Sequence, residues 1–270
     1  MEIRSILVNV GLGPNHAAID YAVRLAEAHG ADLLGMAAAQ PSMALAGMDN
    51  AQVAVDYYAV QRENIQGLLA QAEERFRSLV PANIPTEWRS YVANTTDTVV
   101  DLARRCDLVV AATGDAAEGV EGLDAGHLIL AGGRPVVLAG DGSLTAKRGR
   151  AVIAWKDTRE ARRAVSDALP LLQRSTHVGV VTLSEGDVAW EAASLTDLVE
   201  WLGRHDVLAE HRLVDRGADF LDALGLLTHV DAPDLVVAGG YGHSRFREWL
   251  LGGVTDDLLS ANGVNRLFSN

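Results

Sequence analysis

Short apolar runs alternate with longer amphipathic stretches along the whole chain. IRSILVNV (3–10) is β-branched and apolar on both faces, the pattern of a buried strand. NHAAIDYAVRLAEAH (15–29) sets Ile19, Val23 and Leu25 on a helical stripe, and Gly30 stands where a C-cap belongs. ADLLGMAAA (31–39) is a second strand, residues 41–47 a loop, and 51–79 a long helix rich in Gln, Glu and Ala. TEWRSYVA (86–93) is a third strand. DTVVDLARR (97–105) is a short helix that Asp97 is expected to cap. DLVVAAT (107–113) and RPVVLAG (134–140) complete the first half as strands.

The second half repeats the order. GRAVIAW (149–155) is a strand, and TREARRAVSDALPLL (158–172) a helix capped by Asp157 or Thr158. HVGVVTL (177–183) is a strand and DVAWEAASLTDLVEWLGRH (187–205) a helix. VLAEHRLV (207–214), the helical GADFLDALGLLTHV (217–230) and the strand DLVVAGG (234–240) follow, and NRLFSN (265–270) is a final short segment. Asp107-Leu-Val-Val-Ala recurs at Asp234, and Gly122 precedes Pro135 by the interval that separates Gly252 from Asn265. Strands apolar on both faces, alternating with helices, predict an α/β fold with parallel sheets covered on both sides. The small polar stretch GDGSLTAKRG (140–149) reads as the linker between two similar domains.

Composition narrows the function. Hydrophobic residues make up 49% and charged residues 22%, as in ordinary globular proteins. The formal charge of −13 argues against nucleic acid or an anionic membrane as partner, since both need clustered Lys and Arg. The one cysteine, Cys106, sits in an apolar context and reads as a buried small hydrophobe. The N-terminus lacks a signal-peptide pattern, and the richest apolar stretch is broken by Gln40, Pro41 and Ser42. A cytoplasmic location is expected.

The candidate chemistry lies in VVAGGYGHSRFREWLLGGVTDDLL (236–259). Gly242-His243-Ser244, between a strand and a helix, has the setting of a nucleophile elbow. Phe246 occupies the position where that turn prefers glycine, and no histidine follows Ser244, so a serine hydrolase is set aside. The alternative is an anion cradle. Gly239 and Gly242 let backbone approach a ligand, and Gly252 and Gly253 lie just before VTDDLLSA (254–261), a helix whose first N–H groups would attract phosphate. Glycines of this kind also serve tight turns and close packing alone, and that reading stays open. Arg245 and Arg247 fit a solvated face, Phe246, Trp249 and Leu250 fit packing, and His16 has no assignable role. There is no HExxH pair, Walker lysine motif or paired-carboxylate signature, so no enzyme activity is expected.

The spacing Gly239, two residues, Gly242, nine residues, Gly252 resembles the nucleotide motif of the universal stress protein family. AWKDTREARRAVSDALPLL (154–172) is similar to that family as well, and the first half follows it in outline at DLVVAAT, Gly122 and RPVVLA. The resemblance implies two such domains, residues 1–140 and 149–270. Each would be a five-stranded parallel sheet of the Rossmann-like, adenine nucleotide alpha hydrolase-like type, and the two would form an internal pseudo-dimer, with further homo-oligomerisation left open. It implies ATP or another adenine nucleotide, with Mg²⁺, as ligand of the C-terminal half. The residues carried over are Gly239, Gly242, His243, Ser244, Gly252, Gly253, Val254 and Thr255, with Trp155 and Lys156 at the end of the first strand of that half.

Departures from the family pattern support a second reading. Gly253 replaces the hydroxyl residue of the motif, with Thr255 two positions on, and Lys156 stands where nucleotide binders often carry Asp. In the first half Gly11 takes that place, Thr113-Gly114-Asp115 lacks the first motif glycine, and Leu123 follows Gly122, so no nucleotide is expected there. The expected role is stress-linked sensing or regulation through an unidentified protein partner. The alternative is a structural or interaction module of the same fold without nucleotide, and weak ATP hydrolysis would need a base that the sequence does not name.

Overall fold

The computed structural model describes residues 2–41, 51–112, 122–140, 149–184, 186–214, 233–240 and 264–270, with backbone alone for 51–57. Contacts group these into two compact units, Ile3–Arg134 and one built from Pro135–Asn270.

The first unit runs β1 (Ser5–Asn9), α1 (Ala17–His29), β2 (Asp32–Ala39), α2 (Ala51–Leu79), β3 (Thr86–Val92), α3 (Thr95–Ala103), β4 (Leu108–Ala112) and α4 (Ala125–Ala131). Its strands are parallel in the order β3-β2-β1-β4. Ile6, Leu7 and Val8 are all inaccessible to solvent, so β1 is covered on both faces. Gly30 ends α1 in the left-handed conformation at φ 66°, as the glycine there predicts. Phe76 of α2 packs its ring 5.3 Å from Trp88 of β3 and ties the long helix to the sheet. Helix α3 differs from expectation. It starts at Thr95, and Asn94, not Asp97, caps it by accepting from the Asp97 N–H at 3.0 Å. Helix α4, which the hydrophobic pattern did not announce, is capped by Asp124 through the N–H of His127.

The second unit holds β5 (Val136–Ala139), β6 (Arg150–Ala154), α5 (Arg159–Leu172), β7 (His177–Leu183), α6 (Val188–Gly203), β8 (Ala209–Val214), β9 (Leu235–Gly239) and β10 (Asn265–Ser269). The order is β5-β10-β9-β6-β7-β8, parallel except that β5 runs antiparallel to β10. Asn265–Ser269 of the terminal segment therefore form a buried strand. The offset that carries Gly122 onto Gly252 also carries Val137 onto Leu267, and these two residues face each other across the antiparallel ladder. Equivalent strands of the sequence repeat thus close each other's edges. Thr158 caps α5 by accepting from the Ala161 N–H, which resolves the choice between Asp157 and Thr158.

The repeated Asp-Leu-Val-Val has a structural cause. Asp107 Oδ2 accepts from the backbone N–H groups of Arg4 and Ser5 at 2.9 and 3.0 Å and from the Ser5 hydroxyl at 3.0 Å. Asp234 Oδ2 accepts from the Arg150 N–H at 2.7 Å. Each carboxylate sits just before a strand and holds the start of its parallel neighbour, β1 in one unit and β6 in the other. No described helix is long and apolar enough to cross a membrane.

Candidate functional site

In the second unit the strand order turns at β6 and β9. The chain proceeds from β6 outward through β7 and β8, then returns on the other side through β9 and β10. Open α/β sheets bind ligands in the crevice at the carboxyl ends of the strands flanking such a switch point. Here those ends are Ala154 and Ala238, paired directly, followed by Trp155-Lys156-Asp157 on one side and Gly239-Gly240 on the other. The structure therefore brings Trp155, Lys156 and Gly239 to one edge.

The rest of the motif, Gly242, His243, Ser244, Gly252, Gly253, Val254 and Thr255, lies outside the described residues, together with Arg245, Phe246, Arg247, Trp249 and Leu250. So do the helix expected at 217–230 and the first-half positions Thr113, Gly114 and Asp115.

Gly239 has a definite packing role. A Cβ at this position would lie 2.5 Å from the Ala161 nitrogen and 2.8 Å from the Glu160 carbonyl carbon. The end of β9 is pressed against the first turn of α5, and α5 rests on β9 and β10. Gly239 thus sets the height of the helix above the crevice, while Gly240 continues as backbone whose N–H donates to the Ser269 carbonyl at 2.7 Å.

Lys156 is half-buried at the crevice edge. Asp157 is ion-paired with Arg162, and buried Glu160 with Arg159 at 2.9 Å. Both carboxylates at the start of α5 are thus already neutralised by arginines, and the motif glycines beyond Gly240 lie outside the described residues. Among the described residues no cluster of His, Cys, Asp or Glu is arranged to hold a metal ion.

Trp155 is 6% exposed. Its indole N–H donates to Ser194 Oγ on α6 at 3.0 Å, and its backbone carbonyl accepts from the Thr182 hydroxyl at 2.9 Å. The indole thus lies against α6 and walls a groove between α5 and α6. That groove was not read from the sequence. Its signal was Trp190 and Trp201, eleven residues apart on one helix and so three turns apart on one face.

In the first unit the corresponding strand end, after β1, is Gly11. Its carbonyl accepts from the Arg75 guanidinium of α2. Cys106, just before β4, is buried, and burial pushes its thiol up to about 11, the state of an inert core cysteine.

No protein-family model and no curated protein matches the chain. Solved structures match it along its whole length. A universal stress protein from Archaeoglobus fulgidus is 13% identical, with a TM-score of 0.68 over 98% of this chain and 96% of that one. A protein of unknown function from Pseudomonas aeruginosa is 13% identical, with a TM-score of 0.56 over 99% and 92%. Another Pseudomonas aeruginosa protein, named as a candidate universal stress protein, is 14% identical, with a TM-score of 0.54 over 99% and 93%. The chain has the α/β fold of universal stress proteins.

Proposed function

We propose that this protein is a universal stress protein. In this reading its C-terminal half binds ATP or another adenine nucleotide, and it acts in the cytoplasm as a stress-linked regulator through a protein partner rather than by catalytic turnover. The observation that carries the reading is the whole-length fold likeness to the Archaeoglobus fulgidus universal stress protein. The glycine spacing supports it, because Gly239 ends β9 beside the strand-order switch, where such folds take ligands. Lys156 at the same edge would offer a cation to the phosphates.

The test is the ligand content of natively purified protein, read by mass spectrometry after denaturation, followed by calorimetric titration with ATP and Mg²⁺. A bound adenine nucleotide, or saturable ATP binding that Gly242→Val weakens at least tenfold, supports the reading. Unchanged affinity in Gly242→Val removes the glycine motif from it.

A second reading is an interaction module of the same fold that binds no nucleotide. It is favoured by the packing role of Gly239 against α5, which accounts for that glycine without a ligand. Protein that carries no nucleotide and takes up none on titration selects it.

A further inference from the structure

Helix α6 carries two apolar stripes. Leu195, Leu198 and Leu202 are buried and serve the core. The other stripe, Trp190, Ala193, Ser194, Asp197 and Trp201, follows the spacing of a single helical face and lines the groove facing α5. Core packing does not explain it, since Trp190 is 55% exposed.

The groove has a volume of about 420 Å³, with Val165 and Arg162 of α5 opposite and Trp155 forming a further wall. Cavities of roughly 300–1,000 Å³ accommodate small organic ligands. Three of the five tryptophans of the chain line this one space. The N–H of Trp155 is already committed to Ser194, which leaves the carbon surface of that indole for contact.

Charge selects among apolar ligands. Arg162 is the only basic group among the lining residues, and Asp157 neutralises it through the ion pair. Asp197 is exposed, and no described residue pairs with it. A groove walled by indoles with one uncompensated carboxylate favours a cation, because indole rings attract positive charge and a desolvated ammonium needs a counter-ion.

We propose that the α5–α6 groove is a second ligand site, for a small monocationic organic molecule with an apolar body, such as a substituted ammonium compound. Its apolar part lies among Trp155, Trp190 and Trp201, and its cationic head lies at Asp197. The groove shares Trp155 with the crevice edge, but its remaining walls are on α5 and α6 and it needs none of the glycines after β9.

The experiment is calorimetric titration of the full chain with three probes that share one body. These are (4-phenylbutyl)trimethylammonium, 4-phenylbutan-1-ol and 4-phenylbutyrate. Saturable binding is expected for the ammonium probe, at least tenfold tighter than for the alcohol, with the carboxylate weakest. Asp197→Asn, an exposed change whose folding is checked by its melting curve, is expected to reduce the preference for the ammonium severalfold while leaving the alcohol unchanged. Trp190→Ala is expected to weaken ammonium and alcohol alike. Equal affinity for ammonium and alcohol, an undiminished preference in Asp197→Asn, or no saturable binding overturns the proposal. ATP binding is titrated in the same variants. If it is unchanged there, failure of this site is separate from failure of the nucleotide reading.

Discussion

Gly239 and Ala161 approach so closely that a methyl group on the glycine would lie 2.5 Å from the backbone nitrogen of Ala161. Backbone cannot rotate away as a side chain can, so the strand end or the helix must move. Gly239→Ala is therefore expected to destabilise the protein by about 1–3 kcal/mol, the usual range for overpacking. Urea unfolding measures this directly. A loss below about 0.5 kcal/mol would mean that α5 shifts freely. The result also guides the ligand work, because weakened nucleotide binding in a Gly239 variant would report a displaced helix. Gly242 is the more informative position.

The two aspartates before β4 and β9 should behave alike. Asp107 accepts two backbone N–H groups and Asp234 one, each from the start of a neighbouring strand. Charge-assisted bonds of this kind contribute roughly 1.5–3 kcal/mol, and removing the acceptor strands partly buried donors. Asp107→Ala and Asp234→Ala are each expected to lower stability by about 1–3 kcal/mol in chemical denaturation. A near-neutral result at either position would show that water replaces the carboxylate there.

These aspartates also show how legible the fold was. Their recurrence disclosed the repeat before any contact was known, and periodicity located most strands and helices. Periodicity could not disclose the pairing of β5 with β10. Both are short strands buried throughout, so no alternation of polar and apolar positions marks a register. NRLFSN reads from its pattern only as a final short segment, yet Arg266 within it is wholly buried. The seven residues of α4 were too few for a helical period to emerge. At the candidate site, glycine spacing singled out Gly239 but not its contact with Ala161, which depends on where α5 docks. The groove on α6 escaped because a helix read for its core stripe hides a second stripe.

Asn94 and Asp97 separate capping from charge placement. The Asn94 side chain accepts from the Asp97 N–H, whereas Asp97 contributes a negative charge within the first turn of α3. Asn94→Ala is expected to cost about 1 kcal/mol. Asp97→Ala is expected to cost less, about 0.3–0.5 kcal/mol, and its effect should fade with added salt. Thermal melts at low and high salt distinguish the two. A larger loss at Asp97 would return the capping role to that residue.

Cys106 gives the protein a defined response to alkaline pH. Burial raises its thiol from 9.0 to about 11, so the folded chain keeps the proton over an interval in which the unfolded chain releases it. The unfolded state then binds fewer protons, and stability falls as pH rises. This contribution is fully present below about pH 9 and is lost as pH climbs towards about 11. Cys106→Ala should flatten that part of the stability profile measured by urea titration. The same shift should slow alkylation by iodoacetamide at pH 8. With the thiol at about 11 in place of 9.0, the thiolate population at pH 8 falls roughly a hundredfold, and lack of access slows the reaction further. Alkylation of the native protein as fast as that of the urea-unfolded chain would place Cys106 at the surface and overturn both expectations.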